Sequence, residues 1–435
     1  MKITFIRPNM NANKAADALQ PLVFALLAAL TPPDVETAFY DDRIEDVPFD
    51  APTDLVAMTV ETFAAQRAYR IAAQYRERGV PVVMGGFHPT LIPQEARQHA
   101  DSVILGDAEA VWPQVVADTE RRCLQPFYHA PTLSSPVRTA FDRRIFCGKP
   151  YPPLELVQWG RGCPHCCDFC AIRAFYGNYQ GQRPIDDVIA EIAALDAERM
   201  LFFTDDNLLA NTGRCIELLE ALAPLKRRWG AQISIETAQH PHLLKLLERS
   251  GCQAVLIGFE SLHQDNLRQM NKAWNVAGQD YATAIRRLYD HGLMICGTFV
   301  FGYDHDTPDS FDRAVEFAIR HTLFLANFNP LTPYPGTPLY RRLQQEGRLL
   351  RDPWWLDEAH QYGDATFRPA NMTPEALASG CFRARTLFNS PTSMLSRASN
   401  FAVNLRSWRR AVLYATANYI NRNAIFRKQG TALGA

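Results

Sequence analysis

The run Arg161-Gly162-Cys163-Pro164-His165-Cys166-Cys167-Asp168-Phe169-Cys170 holds four cysteines, of which Cys163, Cys167 and Cys170 have the spacing C-x3-C-x2-C. Three thiolates on one short loop can hold three corners of a cubane iron-sulfur cluster, whereas ordinary four-iron clusters take four cysteines. The remaining iron would be open to a small molecule that binds through nitrogen and oxygen, and a reduced cluster could pass that molecule an electron. A zinc knuckle or a redox dithiol is the competing reading. Zinc sites usually need a second ligand pair at a distance. Here Cys123, Cys147, Cys215, Cys252, Cys296 and Cys381 are scattered singly, and His165 lies inside the same loop. Cys166, next to a ligand, is the sole nearby thiol that could complete a four-thiolate cluster of the electron-carrier kind.

The elements that must position this loop follow from the apolar pattern. A chain of 435 residues exceeds the usual single domain. Hydrophobic residues at 47% and charged residues at 21% are globular proportions, and a net charge of −1 provides no global field for nucleic acid. The first apolar run, Lys2 to Ile6, is too short for the core of a signal peptide. Pro21 to Leu30 falls far below the ~20 residues that span a bilayer. With ten cysteines that show no pairing pattern, the composition suits the reducing cytoplasm.

Strand-like runs at residues 2–6, 35–40, 55–60, 81–84 and 102–105 alternate with helical patterns at 19–30, 64–78 and 111–122. That alternation predicts a Rossmann-like, doubly wound α/β domain over residues 1–128. Residues 129–153, with Pro131, Pro136, Pro150, Pro152 and Pro153, read as a linker. Strands at 154–159, 200–204, 232–236, 254–259, 294–301 and 325–329 then alternate with five helical patterns. Six β/α units within residues 154–350 predict a partial (β/α)6 barrel of the TIM type, with residues 351–435 as a helical C-terminal extension. The cysteine loop follows the first barrel strand, which places it at the barrel mouth, where such folds do chemistry.

Further motifs accompany the loop. They are Met84-Gly85-Gly86-Phe87-His88-Pro89-Thr90 and Gly106-Asp107-Ala108-Glu109 in the first domain, and Phe203-Thr204-Asp205-Asp206-Asn207 and Ile257-Gly258-Phe259-Glu260-Ser261 in the barrel. On these residues the chain resembles the radical S-adenosylmethionine (SAM) enzymes with an N-terminal cobalamin-binding-type domain, the group that includes anaerobic magnesium-protoporphyrin cyclase and the hopanoid methylases. The resemblance implies a 4Fe-4S cluster on Cys163, Cys167 and Cys170, with SAM chelating the open iron and cleaved reductively. It implies that Phe169 shields cluster and adenine from water. Asp205 and Asp206 would accept from the methionine ammonium, and Glu236 and Glu260, at the ends of the third and fourth strands, from ribose hydroxyls or the ammonium. The bland alternative pairs these acids with Arg161, Arg173 or Arg183 to tie the barrel rim.

The resemblance also implies cobalamin, with one departure. The stretch Pro8-Asn9-Met10-Asn11-Ala12-Asn13-Lys14 lacks the Asp-x-His-x-x-Gly pattern that gives cobalt a histidine. The turn at Gly85 and Gly86 and the stretch Met58 to Thr62 are left to face the corrin, while His88, beside the glycines, reads either as reaching a cofactor or as a structural turn residue. The implied activity is functionalisation of an unactivated carbon, by cobalamin-dependent methyl transfer. The alternatives are a radical cyclase or oxidase without cobalamin, and a non-catalytic iron-sulfur electron carrier. The implied partners are a lipid-like or porphyrin-like small molecule and a low-potential electron donor, with no nucleic acid.

From Ala376 onward the chain has no acidic residue but has Arg383, Arg385, Arg397, Arg406, Arg409, Arg410, Arg422, Arg427 and Lys428. Arginines interleaved with Phe401, Trp408, Val412 and Tyr419 suit contact with an anionic membrane surface. They equally suit a capping helix whose arginines face water or barrel carboxylates.

Overall fold

The computed structural model describes residues 1–15, 17–131 and 140–434. It contains two six-stranded parallel sheets in succession along the chain. The first comprises β1 (Lys2–Arg7), β2 (Glu36–Asp41), β3 (Leu55–Thr59), β4 (Val82–Gly85), β5 (Ser102–Leu105) and β6 (Phe127–His129) in the order β2-β1-β3-β4-β5-β6. Its central strands are apolar on both faces because helices cover both sides, as parallel sheets require. Phe5, Phe24 and Trp112 pack on one face, and Val56, Ile71 and Tyr75 on the other. Strand order reverses between β1 and β3, so the ligand-binding crevice of such a sheet lies at their carboxyl ends.

Strand β6 and the helices Phe87–Leu91 and Pro93–His99 were not among the expected elements. Each is too short to show a period. Because β6 runs to His129, the first domain extends one residue into the stretch expected to be linker. Residues 132–139 of that stretch, Pro136 among them, lie outside the described residues. Its remainder is strapped to the first domain: Phe146 is buried there, the amide of Asp142 donates to the Ala25 carbonyl at 2.9 Å, and Tyr151 donates to Asp41 at 2.7 Å.

The second sheet follows as β7 (Leu154–Val157), β10 (Met200–Phe203), β11 (Trp229–Gln232), β12 (Cys252–Glu260), β13 (Met294–Phe301) and β14 (Leu325–Pro330). Its order is β14-β13-β12-β11-β10-β7, every pair parallel, forming an incomplete barrel. Two short antiparallel strands, β8 (Gly160–Arg161) and β9 (Gly181–Gln182), bracket the cysteine loop. Stacked rings of Phe259, Phe299 and Phe328, with centroids 5.5 and 5.4 Å apart, tie β12, β13 and β14 together.

One barrel strand departs from expectation. The third is Trp229–Gln232 rather than 232–236, and Glu236 lies in a 3-10 turn, Ile235–Gln239. Gly230 lies within the observed strand. In the sheet it is the residue that fits, because a Cβ there would lie 2.8 Å from the carbonyl oxygen of Ala254 on the next strand.

The extension forms helices Pro374–Phe388, Pro391–Ala398 and Trp408–Lys428. Its basic residues divide: some face carboxylates as expected, and others are buried on neutral acceptors instead. Arg397 is fully buried and donates to the carbonyls of Leu323, Phe324 and Phe388, to Ser393 and to Asn418, with its guanidinium 3.8 Å from the Phe388 ring centre. Arg410 donates to the carbonyls of Gly292 and Val403. Arg383, Arg409, Arg427 and Lys428 do meet carboxylates, at Asp312, Glu198 and Asp17. Trp408, Val412, Tyr419 and Phe426 remain exposed on the last helix. Among the described residues no helix is long and apolar enough to cross a membrane.

Trp354 and Trp355 lie in the core of the first domain, with Trp355 donating to Glu95 at 3.0 Å and Trp354 to the Pro333 carbonyl at 3.1 Å. They therefore join the extension to the first domain and the barrel end alike. Replacing Arg397 with Ala removes a donor from five acceptors, of which the Phe324 and Phe388 carbonyls keep another, from Asn418 and Ser393. At about 1–3 kcal/mol for each buried acceptor left unsatisfied, it lowers stability by about 3 kcal/mol or more, read as a fall in the denaturation midpoint that Arg397→Lys does not restore.

Candidate functional site

The cysteine loop leaves β8 through Gly162, whose φ of +85° and tight surroundings exclude a side chain. A Cβ there would lie 2.0 Å from the carbonyl oxygen of Tyr179. Two adjacent carboxylates at the end of β10 hold the loop's entry. Asp205 accepts from the amides of Trp159 and Gly160, and Asp206 accepts from the amide of Gly162 at 2.7 Å. Burial pushes the carboxyl pKa up to about 7 for Asp205 and to about 6 for Asp206. The two acids thus meet the backbone that launches the loop, and neither pairs with Arg173 or Arg183.

Further along, Asp168 is pinned three ways. Its amide donates to the Met270 carbonyl, its carbonyl accepts from the amide of Leu339, and its carboxylate accepts from the buried Tyr303 hydroxyl. Among the other polar residues after β13, Asp304 pairs with Arg342 and Arg348, and Asp306 caps the amides of Gly302 and Tyr303.

The three thiols are free. Cys167 is buried and Cys166 exposed. Burial pushes the Cys167 thiol up to about 12 and raises Cys163 and Cys170 as well. Metal binding here therefore displaces protons. The donor set fits an anionic cluster. Cys163 receives the amide of His165, Cys170 receives those of Ile172 and Arg173, and Lys272 sits close enough to favour the thiolates of Cys167 and Cys170. Phe169 packs against the barrel core and lines a cavity of about 290 Å3 at the barrel mouth.

Lys272 carried no signal by itself in the sequence, yet it is central here. It is buried and donates to Glu260 at 2.8 Å. Burial opposes its charge, but Glu260 and the cysteines outweigh burial and raise its pKa. Glu260 ends β12 at a positive φ of 62°, where the register with β13 shifts. The pair lies over Gly258, whose Cβ would come within 2.2 Å of the Glu260 carboxylate.

Glu236 stands apart, partly exposed, 3.3 Å from His165, which stacks on Trp274 at 3.6 Å. Asn207 donates to Ser234 beside that histidine, and its carbonyl oxygen is buried without a partner. The legible trace of this flank is Lys272-Ala273-Trp274-Asn275, a cation and a large aromatic in a polar loop after a strand end.

The first domain meets the loop directly. Arg161 pairs with Asp107 at 3.0 Å and Glu109 at 2.5 Å, both following β5, and Tyr176 donates to Asp107 at 3.1 Å. Just after β4, Gly86 has φ +98°, and a Cβ there would meet Thr59 and Val60 of the neighbouring chain segment, so both conformation and space require glycine. The close approach of the Gly85-Gly86 turn is thus to the end of β3 and to Val60 just beyond it. His88 is fully buried between Tyr69 and Glu95 as a structural residue.

Likeness to known proteins agrees with this geometry. Residues 157–318 match the radical SAM superfamily, and residues 337–431 match a domain of unknown function, DUF4070. The chain is 33% identical over 391 residues to bacteriochlorophyllide d C-12(1)-methyltransferase of Chlorobaculum tepidum, covering 86% of this chain and 84% of that one. It is 30% identical over 354 residues to bacteriochlorophyllide d C-8(2)-methyltransferase of the same organism, covering 77% and 78%. Among solved structures, the cobalamin-dependent SAM radical enzyme OxsB, with aqua-cobalamin and SAM bound, superposes with a TM-score of 0.65 at 11% identity, covering 98% of this chain and 71% of that one. The chain belongs to the radical SAM superfamily, within its methyltransferase group, and is an enzyme of the kind that holds a 4Fe-4S cluster and SAM.

Two measurements check the site. Anaerobic reconstitution of Cys166→Ala retains the iron content of the native protein, whereas Cys163→Ala, Cys167→Ala and Cys170→Ala each lose the cluster by iron counting and visible absorption. Lys272→Met removes a positive charge that favours the reduced cluster, so the midpoint potential moves to more negative values in an EPR-monitored titration; an unchanged potential would place Lys272 outside the cluster's field.

Proposed function

We propose that this enzyme methylates an unactivated side-chain carbon of a porphyrin-like, conjugated ring, with cobalamin held between the first domain and the barrel. One observation carries the reading. Arg161, inside the segment that launches the cysteine loop, is clamped by Asp107 and Glu109 after β5, so the cluster loop lies against the carboxyl-end side of the first sheet, the side on which that kind of sheet takes a ligand. The names of the bacteriochlorophyllide methyltransferases support the choice of reaction and ring, and the likeness to OxsB, a structure with aqua-cobalamin bound, supports the choice of cobalamin. When bound, the cluster supplies the electron that splits SAM, and cobalamin carries the methyl group.

The residues of the chain divide the remaining work. Cys163, Cys167 and Cys170 hold iron, and Asp205 and Asp206 keep the loop in register with the barrel by accepting its amides. Glu260, with Lys272, offers a carboxylate and an ammonium beside the cluster, a complement to the charged ends of an amino acid such as the methionyl part of SAM. Glu236, reached through His165, is the more exposed acceptor for a ribose hydroxyl. Phe169, with Phe63, Tyr334 and Tyr362, excludes water from the cavity and presents flat apolar faces to a ring. Gly85 and Gly86 close β4 on the same edge as Asp107, where the corrin would lie. A low-potential electron donor and a reducing, cytoplasmic setting complete the scheme.

The reconstituted enzyme, given reductant, bacteriochlorophyllide d and SAM labelled in its methyl group, transfers the label to the ring product, followed by mass spectrometry. Formation of deoxyadenosine with no label in the ring would retire methyl transfer in favour of a cyclase or oxidase.

A further inference from the structure

The cavity of about 290 Å3 lies where three parts of the chain meet: Phe63 of the first domain, Phe169 of the cysteine loop, and Tyr362 and Arg385 of the C-terminal extension. Phe63, Phe169, Tyr334 and Tyr362 give its walls their rings, Arg385 is the cation among the lining residues, and Asp364, whose carboxylate accepts from the amide of Gln361, is the acid. Arg385 is buried, yet every acceptor it has is neutral. Nε donates to the Phe328 carbonyl at 2.7 Å, Nη1 to Gln429 at 3.3 Å and Nη2 to Asn329 at 3.4 Å. Three bonds, two of them long, leave part of a five-donor fork unused. Among the described residues no carboxylate pairs with it.

Of the other buried arginines, Arg227 and Arg410 also donate only to carbonyls, but neither lines this cavity. Arg161 and Arg183 have carboxylate partners, and Arg397 makes five bonds to protein acceptors with an aromatic ring stacked on its face. A guanidinium taken out of water without a counter-charge is costly, and a carboxylate meeting its planar fork through two parallel bonds offsets much of that cost. Arg385 alone among these arginines combines the lack of a carboxylate partner with a place on the wall of the cavity next to the cysteine loop.

We infer that Arg385 receives a carboxylate of the substrate, so that the cavity takes the acid-bearing edge of a flat conjugated ring. The inference deepens the proposed function and rests on it. It makes the C-terminal extension, through Arg385 and Tyr362, part of the substrate site, with Arg385 as a specificity determinant that leaves the cluster and its loop untouched.

Magnesium protoporphyrin IX, with two free propionates, and its dimethyl ester serve as probes, titrated by fluorescence into the anaerobically reconstituted protein. The diacid binds the native protein about tenfold or more tightly than the diester, the range expected of a charge-assisted pair. Arg385→Gln loses that preference while binding the diester as before, and Arg385→Lys, which keeps the charge but not the fork, retains part of it. Equal affinity of the native protein for the two probes overturns the anchor with no variant needed, and so does an Arg385→Gln protein weakened equally toward both. Failure of the native protein to bind either probe overturns the ring-substrate reading itself, a result distinct from equal binding, which leaves that reading standing.

Discussion

The site depends on a largely enclosed guanidinium. Arg161 sits between two glycines at the entrance to the cysteine loop and meets Asp107 and Glu109 across the boundary between the two sheets. Burial opposes its charge, yet the two carboxylates outweigh burial and raise its pKa. Taking one partner from a buried pair costs about 3–5 kcal/mol because the other charge is left stranded. The pair therefore resists separation of the domains at the one place where their relative position matters to chemistry. Around it Phe87 packs on Phe175 at 4.6 Å, and Tyr176 adds its hydroxyl to Asp107, so the helix after the loop is held by the same edge.

A second layer of polar groups holds the loop from the barrel side. Asp205 and Asp206 bind amides before the first ligand, Asp168 is tied to β13 and to the segment after β14, and Lys272 approaches from the loop after β12. Each bond fixes backbone or charge rather than adding bulk. The loop can thus remain irregular, as a cluster cradle must, and still have one conformation: its buried polar groups are satisfied by partners on rigid strand ends.

The C-terminal extension is held by the same pairing of buried polar groups. Arg397 and Arg410 end on backbone carbonyls of the segments between barrel helices and strands, and Asn404 and Asn418 add amide donors to the Thr322 and Phe324 carbonyls. A basic tail that reads as a charged surface is in large part an internal scaffold. Its composition was visible and its placement was not, because an arginine with a carbonyl partner and an arginine in water look alike in a sequence. The same holds for Trp354 and Trp355, whose size announces a contact without saying that the partner is the first domain.

What the sequence determined by itself was whatever depends on local spacing: the three-cysteine loop, the alternation that makes two parallel sheets, and Asp205, Asp206 and Glu260 at strand ends, though not Glu236. Period and spacing are short-range properties, so they survive without coordinates. Elements below a full period, β6 and the paired strands around the loop, left no trace, and the third barrel strand reads three residues late, at 232–236 rather than Trp229–Gln232, because the close approach of Gly230 to Ala254 cannot be read from one strand alone. Tertiary structure alone decided that Asp205 and Asp206 hold backbone, that Lys272 joins Glu260 beside the cysteines, and that Arg161 faces Asp107 and Glu109. These partners lie far apart along the chain, and a pairing of buried charges is fixed by which strand ends the fold brings together, a long-range outcome that no single stretch of residues encodes.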